Sequence, residues 1–93
     1  MVKIRWSNKS LYDLKNIFDY IAQDSKKYAN IHVKRIKLRT QQLKIQPLSG
    51  RKVPEFNDEN VRELIEGNYR IVHLIKEDQI FILTIHHASK MLV

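Results

Sequence analysis

The sequence predicts an α+β fold, a helical hairpin packed on a mainly antiparallel four-stranded sheet in the order β-α-α-β-β-β. Three observations predict it. A short apolar alternation opens the chain, two stretches with apolar residues at helical spacing follow, and three strand-like runs separated by two-residue turns close it.

Val2, Ile4 and Trp6 alternate with Lys3 and Arg5, the period-two pattern of a strand with one buried face. Trp6 is placed in the core beneath the helices. Ser7 or Ser10 then caps a helix over Leu11 to Asp24, with Leu11, Leu14, Phe18, Ile21 and Ala22 inward, Ile17 beside them, and Asp13, Lys15, Asn16 and Asp19 mostly outward.

A second helix is expected from about Lys26 to Ile45, stopped by Pro47 and the turn-forming Ser49-Gly50. Ala29, Val33, Ile36, Thr40 and Leu43 share its inner face. Ile31 and Leu38 lie nearly opposite, among Lys34, Arg35, Lys37, Arg39 and Lys44. That second apolar stripe suits a partner-binding groove, although single surface aliphatics are also ordinary.

After a loop from Arg51 to Asn60, the strands are expected at Val61 to Glu66, Tyr69 to Lys76 and Gln79 to His86. Gly67-Asn68 and Glu77-Asp78 connect them as hairpin turns of the kind that accept positive φ. The run Ile80-Phe81-Ile82-Leu83-Thr84-Ile85 is apolar on both faces, which places the last strand inside the sheet rather than at its edge.

The 93 residues suit one domain, 1–93. Lys and Arg number 17 against 10 Asp and Glu, a formal charge of +7 that favours acidic partners without choosing among nucleic acid, ribosome and acidic polypeptide. Without cysteine there is no disulfide framework and no thiolate zinc site, so packing alone must hold the core. His86 and His87 are adjacent on a strand and point to opposite faces, so they do not chelate one ion; no metal or cofactor is expected. No apolar run is long enough for a membrane span, and the start of the chain lacks a secretory apolar block, so the expected location is cytoplasmic.

Gly50-Arg51-Lys52-Val53-Pro54-Glu55-Phe56, Val61-Arg62-Glu63-Leu64, Tyr69-Arg70-Ile71-Val72 and His87-Ala88-Ser89-Lys90 stand in the order and approximate spacing of the RelE/ParE toxin superfamily, which the chain resembles over nearly its whole length. The resemblance implies the toxin component of a bacterial type II toxin–antitoxin (plasmid stabilisation) module, silenced by a cognate antitoxin protein. It implies one of two targets. RelE-like members are ribosome-dependent endoribonucleases acting on mRNA, and ParE-like members inhibit DNA gyrase without hydrolytic residues of their own.

Cleavage of RNA by its own 2′-hydroxyl needs a proton acceptor, a proton donor and cations for the transition state. The resemblance assigns these in RelE-like enzymes to two lysines, two arginines and a C-terminal tyrosine. Arg70 matches one arginine, but the lysine positions fall on Val61 and Glu63, the later arginine falls near Ala88, and no tyrosine follows Tyr69. A YoeB-like set would be Glu55, Arg70 and His87, with the histidine about one residue out of register and the tyrosine missing. The ParE-like pattern fits with fewer departures. One is Lys90, which stands where arginine is usual and keeps the charge without the planar fork.

The expected target-binding residues are therefore Arg62, Arg70, His87 and Lys90, and the expected antitoxin-binding residues are Ile31, Lys34, Arg35 and Leu38. The alternative catalytic set is Glu55, Arg70 and His87. Two of these have a structural counterpart, since Arg70 can pair with Glu63 across the hairpin and Glu55 can hold a loop; His73, in neither set, can sit half-buried against a backbone carbonyl. A toxin fold that has lost toxicity is a third possibility.

Overall fold

The computed structural model describes residues 2–89. Its elements are β1 (Lys3–Trp6), α1 (Asn8–Ala22), α2 (Lys26–Gln41) with a 3₁₀ turn at Gln42–Lys44, β2 (Arg51–Lys52), β3 (Val61–Glu66), β4 (Tyr69–Lys76) and β5 (Gln79–His87).

Ser7 is the cap that starts α1. Its hydroxyl oxygen accepts from the Ser10 backbone N–H at 3.0 Å and donates to the Leu83 carbonyl at 2.9 Å, tying the helix start to β5. The helix therefore begins at Asn8, earlier than the apolar spacing alone suggests. Leu11, expected inside, is half exposed, whereas Leu14 is buried. Ser25 caps α2 in the same way through Tyr28 N–H at 3.2 Å.

The second helix ends at Gln41 rather than Ile45, because its last residues tighten into the 3₁₀ turn at Gln42–Lys44. That tightening keeps Leu43 fully buried while Ile45 turns out to solvent. Ala29, Ile36 and Thr40 are buried as the spacing predicts, and Val33 packs at the rim of the core.

The sheet has five strands in the order β1-β5-β4-β3-β2, one more than expected. The addition is the two-residue β2, paired antiparallel with β3 through Arg51↔Glu63 and Lys52↔Arg62. Gly50 makes it possible: its φ is +97°, and a Cβ there would collide with the Glu63 carbonyl, so only glycine lets the chain turn this closely onto β3. β1 pairs parallel with β5, which is thereby internal, and the other pairings are antiparallel. A bulge between Val72 and His73 shifts the β4–β5 register.

The helical hairpin covers one face of the sheet. Leu14, Ile36 and Leu43 pack there on Leu64, Ile71, Ile80, Ile82 and Ile85, with Ile4 and Trp6 at the margin. The opposite face carries a smaller cluster of Val53, Val61 and Val72, flanked by Leu74 and Leu83, and the loop after β2 lies over it.

Candidate functional site

On the face without helices, β3 and β4 bring two charged side chains into the interior. Glu63 and Arg70 are both buried, Glu63 at 1% exposure. In the β3–β4 register Glu63 lies opposite Val72 and Arg70 opposite Ile65, so the two stand diagonally across the hairpin on one face. Arg70 Nε donates to Glu63 Oε1. Its two terminal nitrogens donate to the two oxygens of Glu55, each at 3.0 Å, a bidentate pair reaching down from the loop. The other oxygen of Glu63 accepts from Arg51 Nε of β2 at 2.6 Å.

The result is a chain of alternating charge, Arg51–Glu63–Arg70–Glu55, with two cations balanced by two carboxylates. The Glu55 hydrogen bonds, opposed by burial and reinforced by Glu63, raise the Arg70 pKa, so its guanidinium is permanently charged. Pairing Arg70 with Glu63 was legible as a cross-strand possibility. The Glu55 clamp was not, since it depends on how the loop from Val53 to Asn60 folds back over the sheet.

Of the proposed acid–base set, Glu55 and Arg70 meet and His87 does not join them. His86 is the cross-strand neighbour of Arg70, and His87 is the neighbour of Tyr69. Alternation therefore carries His87 to the other side of the sheet from Arg70. There its ring meets Tyr69 edge-on, with centroids 5.7 Å apart, and its Nδ1 lies 2.7 Å from Ser89 Oγ.

These groups line a groove at the end of α1, together with Asn16, Tyr20 and Asn68. Burial and the nearby Tyr20 push the Tyr69 phenol pKa up, which keeps it protonated. Lys90, the fourth expected target contact, lies outside the described residues. Arg62 is half-buried, donating from Nε to the Glu59 carbonyl at 3.0 Å and from Nη1 to the Gly50 carbonyl at 3.5 Å.

Asp13, expected outward, is a correction. Where β1 has ended, its carboxylate takes the place of a neighbouring strand and accepts from Ile85 N–H at 3.0 Å and Thr84 Oγ1 at 2.5 Å. Burial alone would raise its pKa, but those bonds and Lys9 outweigh it and lower the value. The only sequence signal was a carboxylate midway along the first helix, which does not distinguish this role from a solvated one.

His73 is a second correction. It is fully buried rather than half-buried, and neither ring nitrogen has a hydrogen-bond partner among the described residues. Burial, aided by Arg62 and opposed by the Ile71 backbone, pushes its pKa down to about 4, so the ring is neutral. No group of His, Asp and Glu that could hold a metal ion occurs among the described residues.

On the outer surface of α2, Leu38 is 64% exposed and Lys34 and Arg35 are exposed beside it, while Ile31 is half-buried. The four expected antitoxin contacts thus share one side of the helix, facing away from the core residues Ala29 and Ile36.

No curated protein matches the chain. A solved structure described as the chromosomal ParDE TA system from P. aeruginosa shares its fold, with a TM-score of 0.81 and 24% identity over 96% of this chain and 98% of that one. The family model for the ParE toxin of the type II toxin–antitoxin system parDE matches residues 4–92. The chain therefore belongs to the ParE toxin family of type II toxin–antitoxin systems.

Proposed function

We propose that this toxin inhibits growth in the cytoplasm by binding DNA gyrase, as part of a plasmid-stabilisation type of module, and that it cuts no RNA. The observation that carries this reading is the state of Arg70. A cation that stabilises a scissile phosphate must present free donors to it. Here the guanidinium is buried and its donors are directed at Glu55 and Glu63, so an approaching phosphate meets carboxylates. Val61 and Glu63 stand where RNA-cleaving relatives are expected to carry lysines. Contact with the target then falls to Arg62, His87 and Lys90, while Arg70 holds the loop that shapes the surface.

Purified protein is expected to inhibit gyrase supercoiling or trap cleaved DNA, and to leave mRNA intact on programmed ribosomes. The alternative is a RelE/YoeB-like endoribonuclease, favoured by the direct contact of Glu55 with Arg70. Ribosome-dependent cleavage by the parent, abolished by each of Glu55→Gln, Arg70→Ala and His87→Gln, would replace the gyrase reading with that one.

A toxin of this family has a cognate antitoxin as its partner. We place part of that contact on Ile31, Lys34, Arg35 and Leu38, an apolar strip with cationic flanks that suits a helix carrying acidic flanks. Leu38→Asp is expected to weaken co-purification with the antitoxin and leave the circular dichroism spectrum unchanged; full retention of the antitoxin would remove this surface from the interface.

A further inference from the structure

The positive charge of this chain is not spread over its surface. Residues 26–44 contain seven of the 17 Lys and Arg and none of the 10 Asp and Glu, so outside this segment cations and acids cancel. The whole formal +7 therefore resides on α2 and the 3₁₀ turn that follows it.

Elsewhere the cations are mixed. Lys9, Arg51, Lys52 and Arg70 are ion-paired, whereas Lys3, Arg5, Lys15, Arg62 and Lys76 form no ion pair among the described residues. They are scattered among the ten acids rather than gathered on one element. Lys26, Lys27, Lys34, Arg35 and Lys37 of α2 are exposed, and none of them forms an ion pair among the described residues. Arg39 is turned back, donating to the Ile65 carbonyl and to Gln42.

Their placement follows from helical geometry. Ala29, Ile36 and Leu43, seven apart, are fully buried against the core. Lys27 and Lys34, each two residues before one of these, form the ridge on the opposite side. Lys26 and Lys37 lie on one flank of that ridge and Arg35 on the other.

We propose that α2 seats in the major groove of duplex DNA, its ridge and flanks meeting the phosphates of the two walls. The groove, about 12 Å wide, admits one α-helix, whereas the deep, narrow groove of A-form RNA does not. A helix of 16 residues extends about 24 Å, along which B-DNA carries one charge per ~1.7 Å. Unpaired cations on the ridge and both flanks suit such a continuous polyanion, and no base-reading set is implied, so binding is insensitive to sequence. The surface overlaps Leu38, so DNA and an antitoxin lying there would exclude one another. The DNA contact does not depend on that reading.

The test is fluorescence anisotropy of a labelled 20-base-pair DNA duplex titrated with the full chain across a salt series. Lys27/Lys34/Lys37→Gln is expected to weaken binding at least about tenfold and flatten the log–log salt slope by about 2–3, near 0.9 per lost phosphate contact. The same three positions changed to Arg should restore binding. Lys3/Lys15/Lys76→Gln, which removes equal charge from exposed positions elsewhere, should change affinity less than about threefold.

Equal loss in the two glutamine triples would reduce the effect to net charge and overturn the proposal, as would no binding by the parent. Displacement of DNA by poly-L-glutamate at matched charge concentration would assign the face to acidic polypeptide instead. Equal affinity for an RNA duplex would exclude seating in the major groove.

Discussion

The two faces of the sheet solve the same problem differently. Under the helices, Leu64, Ile71, Ile80, Ile82 and Ile85 meet Leu14, Ile36 and Leu43, and stability comes from apolar area removed from water. On the other face no helix among the described residues supplies apolar partners. A short loop brings Val53 onto Val61 and Val72, and the remaining interior is filled by Arg70 held between Glu55 and Glu63. A packed apolar face loses one contact at a time when trimmed, whereas a buried charge chain leaves an uncompensated charge when one member goes. The covered face should therefore tolerate small changes that the open face does not.

The largest expected effect is at the centre of the open face. Arg70→Ala leaves Glu55 and Glu63 facing each other with no cation between them and should cost about 3–5 kcal/mol in urea unfolding. Replacing the three interior members, Glu55→Leu with Glu63→Leu and Arg70→Met, removes their charges together and leaves the exposed Arg51 to solvent, and should be close to neutral or stabilising. A triple variant as unstable as Arg70→Ala would show that this face resists apolar packing.

A smaller effect tests a fully buried titratable group on the covered face, His73, which is the cross-strand partner of Ile82. Its pKa falls from the ordinary ~6.5 to about 4 in the folded chain. Between those values the unfolded chain binds a proton that the native chain refuses. Stability is therefore full above the unfolded pKa and declines as pH falls through the window, by at most ~3 kcal/mol. His73→Phe should flatten the difference between urea midpoints at pH 7.5 and 4.5. An unchanged slope would mean that other groups carry the acid sensitivity.

The smallest expected effect belongs to a residue beside Arg70 on the same strand but on the covered face. Ile71→Val removes one methylene from a fully buried side chain and should cost only about 0.5–1.5 kcal/mol by thermal or urea unfolding. A loss matching that of Arg70→Ala would erase the contrast between the faces.

Much of this was legible in advance because periodicity is a local property. Val61–Glu66 and Tyr69–Lys76 match their expected bounds, and the last strand runs one residue longer, to His87. Gly67 takes the positive φ, 58°, that its turn suggested. The inner face of the second helix was equally plain, because one repeating spacing sorts buried from exposed residues along its whole length. The candidate sites were less legible. Residue types and motif order brought Glu55, Arg70 and His87 to notice, but not which of them would share a face.

What the sequence by itself determined is the family, the order of elements and the segregation of the chain's excess charge onto α2, since these depend on residue identity and short-range spacing. What only the tertiary structure decided is every role that depends on a distant backbone. Gly50 permits β2 because the Glu63 carbonyl lies against it. Asp13 is drawn inward because the β5 edge beyond β1 offers it an unpaired N–H. Glu55 closes on Arg70 because the loop crosses the open face. In each case a polar group is satisfied, or a side chain excluded, by an atom far away in sequence, and no local pattern encodes that proximity.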